Sequence, residues 1–226
     1  MIGWGKWGRM NIMNKNIIII GLGPKLGFAM AKKFGENGFV VGLISRNESS
    51  LKERAILLQE QGINVFYHTA DAYYKDELEA AISVLKTEMG IIDVLFYNAA
   101  GMKRKNLLSE ETDDLVNDFR LNVAHVFHSV QYLLDDLRQT KGAVLLTGGG
   151  FSLNPNHEFG SLSLGKAGLR NLALQLNEAL KEDDIYVGTL TINGHIQEES
   201  DLYSPSILAN MFWEMCMNRI DTEIRY

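Results

Sequence analysis

Apolar residues in this chain fall into short runs and helical stripes that alternate from end to end. Ile17 to Ile20 form an unbroken β-branched run, which suits a strand buried on both faces. Residues 39–45 (FVVGLIS), 63–67, 92–98 (IDVLFYN), 143–148 (AVLLTG) and 185–192 (IYVGTLTI) predict further strands, and TEIRY at 222–226 a closing one. Between them, apolar residues recur every three or four positions. Leu26, Met30 and Phe34 make one such stripe. Leu51, Ala55 and Leu58 predict a helix over 49–61, and Leu78, Ile82 and Leu85 one over 75–89. A long helix is expected over about 112–138, and others over about 158–182 and near 205–217.

This alternation implies an α/β protein: a three-layer, doubly wound Rossmann fold with a mostly parallel sheet of about seven strands. No linker or repeat divides residues 15–226, which read as one domain, with 1–14 as an extension. Ligands of such sheets bind at the carboxyl ends of the strands, so the loops that follow strands are where chemistry is expected.

The first of those loops is the most informative. Gly21 and Gly23 break the isoleucine run, Pro24 pre-sets φ for a helix start, and Gly27 sits within its first turns. A strand, a glycine turn and a helix N-terminus together form a pyrophosphate site: bare backbone allows approach, and free N–H groups meet the anion. Leu26, at the start of that helix, is a candidate cofactor contact with the turn. After the second strand comes Ser45-Arg46-Asn47. A dinucleotide fold that binds NAD often has an acid here for the ribose 2′-hydroxyl; Arg46 instead suits a 2′-phosphate, and Lys25 adds charge. NADP(H) is therefore favoured over NAD(H). Asp71-Ala72 follows the third strand and Asn98-Ala99-Ala100-Gly101 the fourth; small residues there let a flat ring approach, and Asp71 can accept from an adenine amine.

Composition narrows the picture further. Apolar residues make up 46 % and charged residues 22 %, ordinary for a protein with a real core. A net charge of −6, with no basic run longer than Lys103-Arg104-Lys105, argues against a nucleic-acid surface. Cys216 is the only cysteine, which excludes an intrachain disulfide and a cysteine-rich metal site and fits a reducing, cytoplasmic setting. No apolar stretch approaches the roughly 20 residues of a membrane span.

With these loops in place the chain resembles the short-chain dehydrogenases/reductases over roughly residues 15–195. GLGPKLG is similar to their glycine turn, Asp71 to their adenine-side acid, and Tyr97-Asn98-Ala99-Ala100-Gly101 to their NNAG motif. Arg120-Leu121-Asn122-Val123 matches the segment with their active-site Asn, and Leu164-Gly165-Lys166-Ala167 the segment with their active-site Lys. Asn193-Gly194 stands where they often have Pro-Gly beside the nicotinamide carboxamide. The resemblance implies hydride transfer involving a small carbonyl, alcohol or activated alkene. Lys166 would hold the nicotinamide ribose and Asn122 would support local hydrogen bonding. It also implies departures. The family's proton-transferring Tyr, four residues before the Lys, is replaced by Leu162, and its carbonyl-orienting Ser by Gly149 within the triple glycine 148–150. His157, Glu158 and His195 are substitute acids to consider, and the backbone N–H groups of 148–150 substitute donors. A non-catalytic NADP(H)-binding sensor or scaffold is the alternative reading. Stripes at Val123, Phe127 and Val130, and at Leu169, Leu172 and Leu176, are candidate faces of a homodimer or homotetramer.

Overall fold

The computed structural model describes residues 15–226; the extension expected over 1–14 lies outside them. Seven strands form one sheet: β1 (Asn16–Ile20), β2 (Val40–Ser45), β3 (Val65–Thr69), β4 (Val94–Tyr97), β5 (Ala143–Thr147), β6 (Tyr186–Thr191) and β7 (Glu223–Arg225). Their order is β3-β2-β1-β4-β5-β6-β7, and every pairing is parallel. Among the described residues, eight α-helices cover the faces: α1 (Leu26–Glu36), α2 (Glu48–Gln59), α3 (Lys75–Met89), α4 (Thr112–Phe119), α5 (His125–Tyr132), α6 (Leu134–Thr140), α7 (Gly160–Ala179) and α8 (Pro205–Asn218).

The isoleucine run shows why both faces must be apolar. Successive strand side chains point to opposite faces. Ile17 and Ile19 join a core with Met30 and Phe34 of α1, Leu58 of α2 and Phe212 of α8. Ile18 and Ile20 join a second core with Ile82 of α3, Val130 of α5 and Leu169 of α7. All four isoleucines are fully buried. Apolar burial of this kind stabilises by roughly 1.5–3 kcal/mol per side chain.

Three expectations need correcting. The third strand starts at Val65, two residues later than predicted, and Ile63 instead packs against α1, where a Cβ at Gly35 would strike it. The single helix expected over about 112–138 is three helices. A π-helical turn, Arg120–Ala124, separates α4 from α5, and the chain bends again at Leu133 before α6. Wide turns of this kind free a carbonyl from the helical ladder. Here the buried Tyr97 hydroxyl donates to the Leu121 carbonyl at 2.8 Å. Of the two stripes read as subunit faces, Val130, Leu169 and Leu176 are buried inside the second core, because both helices pack against the sheet. Val116, Phe119, Phe127, Leu164 and Leu174 are the large apolar residues that these helices leave exposed.

Candidate active site

Connections run to opposite sides from β1 and β4, so the loops at their carboxyl ends part and leave a cleft. Gly21 shapes its floor. Its φ is +93°, a conformation that side chains rarely adopt, and a Cβ there would lie 2.4 Å from the Ala99 nitrogen. Gly27 brings α1 close behind: a Cβ at that position would lie 2.7 Å from the Gly21 carbonyl oxygen. Leu26 is buried in the core and anchors the same turn. Above Gly23 there is open space, with nothing within 4 Å of a Cβ built there.

A cavity of about 240 Å³ fills the cleft. Its walls are Gly21 to Gly23, Ser45 at the end of β2 and Arg46 after it, Ala70 to Tyr73 after β3, Asn98 to Ala100 after β4, and Leu121. Gly21, Gly23, Ser45, Arg46, Asp71, Ala72, Asn98, Ala99 and Ala100, all picked out from the sequence, are thus brought together. Asp71 also accepts from the Tyr73 N–H at 3.1 Å, which closes a turn within its own loop.

Other expected residues sit apart from the cavity. Asn47 caps α2 by accepting from the Ser50 N–H at 2.9 Å. Lys25 reaches away and donates to the Ile196 carbonyl at 2.6 Å, bridging the glycine turn to the segment after β6. Asn193 donates from backbone and side chain to the Tyr226 carbonyl at 2.7 and 3.1 Å. Gly194 makes room for the Tyr203 ring, which a Cβ there would strike. His195 is exposed, and His157 is exposed beside Glu158.

A chain of hydrogen bonds runs from the glycine turn to Lys166. Asn98 donates to the Gly21 carbonyl at 2.8 Å, and Thr147 donates to the Asn98 side-chain oxygen at 2.9 Å. Lys166, on α7, donates to the Thr147 carbonyl at 2.6 Å. Burial pulls the Lys166 ammonium down to about 8. The Lys166 stem passes beneath Gly149, where a Cβ would be 3.5 Å from its Cδ and Cε. Leu162, one turn before Lys166 on α7, is 4 % exposed and brings no polar group to the site.

Asn122 lies in the π-helical turn and is buried. Its side-chain oxygen accepts from the Gly101 N–H at 3.3 Å. Its Nδ2 is a buried donor without a partner among the described residues. It lies against α7, where a Cβ at Gly165 would be 2.7 Å away. In the triple glycine, the N–H groups of Gly148 and Gly150 donate to Leu146 and Ile192 carbonyls at 3.1 and 2.9 Å. The Gly149 N–H has no such partner among the described residues. Thr147, Tyr73 and Asp118 escaped the sequence reading. The only signal for Thr147 was its place at the end of a strand.

The residues around the cavity suit a dinucleotide: bare backbone and open space at the turn, a guanidinium beside it, small residues on the facing loop. The model of the family described as short chain dehydrogenase matches residues 15–195. The chain belongs to the short-chain dehydrogenase family. At the level of that family its activity is NAD(P)(H)-dependent oxidation and reduction of small carbonyl or alcohol substrates. Among curated short-chain dehydrogenases and related enzymes, the chain is 26 % identical over 223 residues to a 3-oxoacyl-(acyl-carrier-protein) reductase of Staphylococcus aureus, covering 94 % of this chain and 88 % of that one. Among solved structures it is similar to L-sorbose reductase from Gluconobacter frateurii, complexed with NADPH and L-sorbose. The TM-score is 0.88 at 20 % identity, covering 96 % of each chain. It is also similar to a metagenomic short-chain oxidoreductase in complex with NADP, with a TM-score of 0.85 at 18 % identity over 95 % of this chain and 97 % of that one. Among the described residues no helix is long and apolar enough to cross a membrane, and no group of metal-ligating side chains is found.

Proposed function

We propose that this short-chain dehydrogenase uses NADP(H) and acts on a small carbonyl, alcohol or activated alkene through an atypical active site. The observation that carries the reading is the cleft itself: Arg46 at its rim, the glycine turn at its floor, and Asn98, Thr147 and Lys166 in one hydrogen-bonded line. Arg46 would hold the 2′-phosphate, since a guanidinium offers both charge and a fork of donors. The Gly21–Gly27 turn would take the pyrophosphate at the start of α1. Asp71, Ala72 and Asn98 to Gly101 would flank the adenosine and its neighbours. Lys166, held by Thr147, would bind the nicotinamide ribose, and Asn193 and Gly194 would lie by the carboxamide. When bound, the dinucleotide supplies or receives the hydride.

What the chain offers the substrate is unusual. Leu162 and Gly149 stand where the family places Tyr and Ser, so no side-chain hydroxyl there moves a proton or orients an oxygen. The free Gly149 N–H remains as a donor to a substrate oxygen. The Lys166 stem lies beneath it. An enolate needs donors more than an acid of its own, which favours an activated alkene among the substrate classes. Gly149→Pro deletes the donor and should abolish turnover; an unchanged rate would remove this part of the reading.

Thermal stability with NADPH, NADP⁺, NADH and NAD⁺ in turn is the deciding test. Ligand at 100 times its Kd adds about 2.7 kcal/mol of stability. A rise with the phosphorylated pair alone supports the cleft as described; no rise with any of the four overturns it. Hydride transfer in a carbonyl and enone panel, lost in Lys166→Ala, then supports catalysis. Leu162 and Gly149 favour a second reading, a non-catalytic NADP(H)-binding sensor or scaffold, which predicts binding without turnover across the same panel. In either case we propose a homodimer or homotetramer joined through the exposed Phe119, Phe127 and Leu164, readable by light scattering. We also propose that residues 15–226 act as one domain, and that the protein resides in the cytoplasm, where the buried Cys216 thiol stays reduced.

A further inference from the structure

Asp118 lies on α4, one turn before Asn122, and is fully buried. A carboxylate out of water needs donors that compensate for the lost solvent. Asp118 has three. Tyr73 donates at 2.6 Å, Ser161 at 2.7 Å, and the Lys103 ammonium lies at 3.3 Å. Burial alone would push this carboxyl up, but the three donors outweigh it and hold it below its ordinary range.

The four residues come from four separate segments. Tyr73 follows β3, Lys103 follows β4, Asp118 is on α4, and Ser161 is in the first turn of α7, next to Leu162. The hub presses on Gly101, where a Cβ would lie 2.7 Å from the Tyr73 hydroxyl and 2.9 Å from an Asp118 oxygen. The Gly101 N–H is the one that Asn122 accepts. Tyr73 is also a wall of the cofactor cavity. One carboxylate therefore touches the cleft, the loop after β4 and the helix that carries Lys166.

We propose that Asp118 is a positioning residue: through Tyr73, Ser161 and Lys103 it locks the Gly101–Asn122 contact and the first turn of α7 against the cofactor cleft. The proposal rests on the reading of that cleft as a cofactor site. A buried carboxylate facing a half-exposed ammonium is a poor device for stability alone, because desolvation of the carboxylate offsets much of the attraction. Its effect here is geometric, since each donor arrives from a different wall.

Tyr73→Phe removes one hydroxyl and keeps the ring, so it tests the hub without emptying the core. Hydrogen exchange of the ligand-free protein is compared with wild type, followed by NADPH affinity from fluorescence titration. Selectively faster exchange at 120–124 and 160–166, remote in sequence from Tyr73, is expected, with NADPH weakened at least about fivefold. Combined with Asn122→Ala, the effects on affinity should be non-additive. A lower melting temperature with uniformly faster exchange and additive effects would overturn the proposal. Ser161→Ala repeats the test from the α7 side should Tyr73→Phe fail to fold. If wild-type protein binds none of the four dinucleotides, the cofactor reading fails, and the exchange measurement still decides whether the hub holds α7.

Discussion

Lys166 spends one proton on the Thr147 carbonyl, 2.6 Å away at the end of β5. That contact ties α7 to the strand end at the cleft, and it is the sole protein hydrogen bond of the ammonium among the described residues. Burial lowers its titration from 10.5 to about 8. A lysine lowered in the folded state binds fewer protons there than in the unfolded chain at any pH between the two values. Stability contributed by this residue should therefore rise as pH goes from about 8 to 10.5. Lys166→Met should abolish that rise. Melting temperatures of both proteins across this window measure it; parallel curves would contradict the burial of the charge.

Gly149 is not glycine for want of room. Its φ of −167° is extended backbone, and an added Cβ meets the Lys166 stem at ordinary contact distance. Gly149→Ser should leave stability within about 0.5 kcal/mol of wild type. Leu162→Tyr adds bulk at a buried position and should cost about 1–3 kcal/mol. The double variant returns the side chains of the family pattern above Lys166. Carbonyl reduction with NADPH should then rise by about 10²–10⁴. No gain, with cofactor still bound, would mean that the geometry of the substrate side, and not the two side chains, sets the rate.

The parts of this fold that were legible in sequence are those in which each residue acts through its own neighbours. Ile17 to Ile20 read as a strand buried on both faces because β-branching and apolarity agree there, and the sheet delivers both faces. Gly21, Arg46 and Asn98 read as cleft residues because their places follow from the ends of strands. Asn122 was expected from the resemblance, but its π-helical turn was not: apolar periodicity through 112–138 is undisturbed, and the Tyr97 hydroxyl that meets the turn comes from a distant strand. Asp118 looks like Asp113 and Asp114 in the string TDDLVNDF; only packing shows that it alone is buried. The contact of Lys25 with Ile196 spans 171 positions and has no local signature at all.

Gly21 and Gly23 separate fold from function within one turn. Gly21→Ala forces a Cβ into Ala99 at a left-handed φ and should destabilise by about 1–3 kcal/mol. Gly23→Ala meets open space and should leave the melting temperature unchanged. If that space receives the dinucleotide, Gly23→Ala still weakens NADPH, by about tenfold or more, or about 1.4 kcal/mol. Thermal melts and a fluorescence titration of both variants check this. Full NADPH affinity in Gly23→Ala would place the ligand elsewhere.

The sheet edge carries its own pH signature. Arg170 of α7 grips Glu223 of β7 with two hydrogen bonds, at 2.7 and 2.8 Å, and Thr191 of β6 adds a third at 2.8 Å. The Arg170 hydrogen bonds, more than any other influence, draw the Glu223 carboxyl down from 4.5 to about 2. A carboxyl lowered in the folded state stabilises fully above its unfolded value and loses that contribution as pH falls through the folded one. The loss should therefore occupy the window from about pH 4.5 to about 2. Glu223→Gln should lower stability at neutral pH and flatten the dependence within that window. Because Glu223 ties β7 to α7 and β6, the variant should loosen the carboxyl-terminal edge first, seen as faster hydrogen exchange at 189–191 and 223–225. Protection there equal to wild type, at a pH where Glu223 is charged, would show that β7 is held by its backbone pairing with β6 alone.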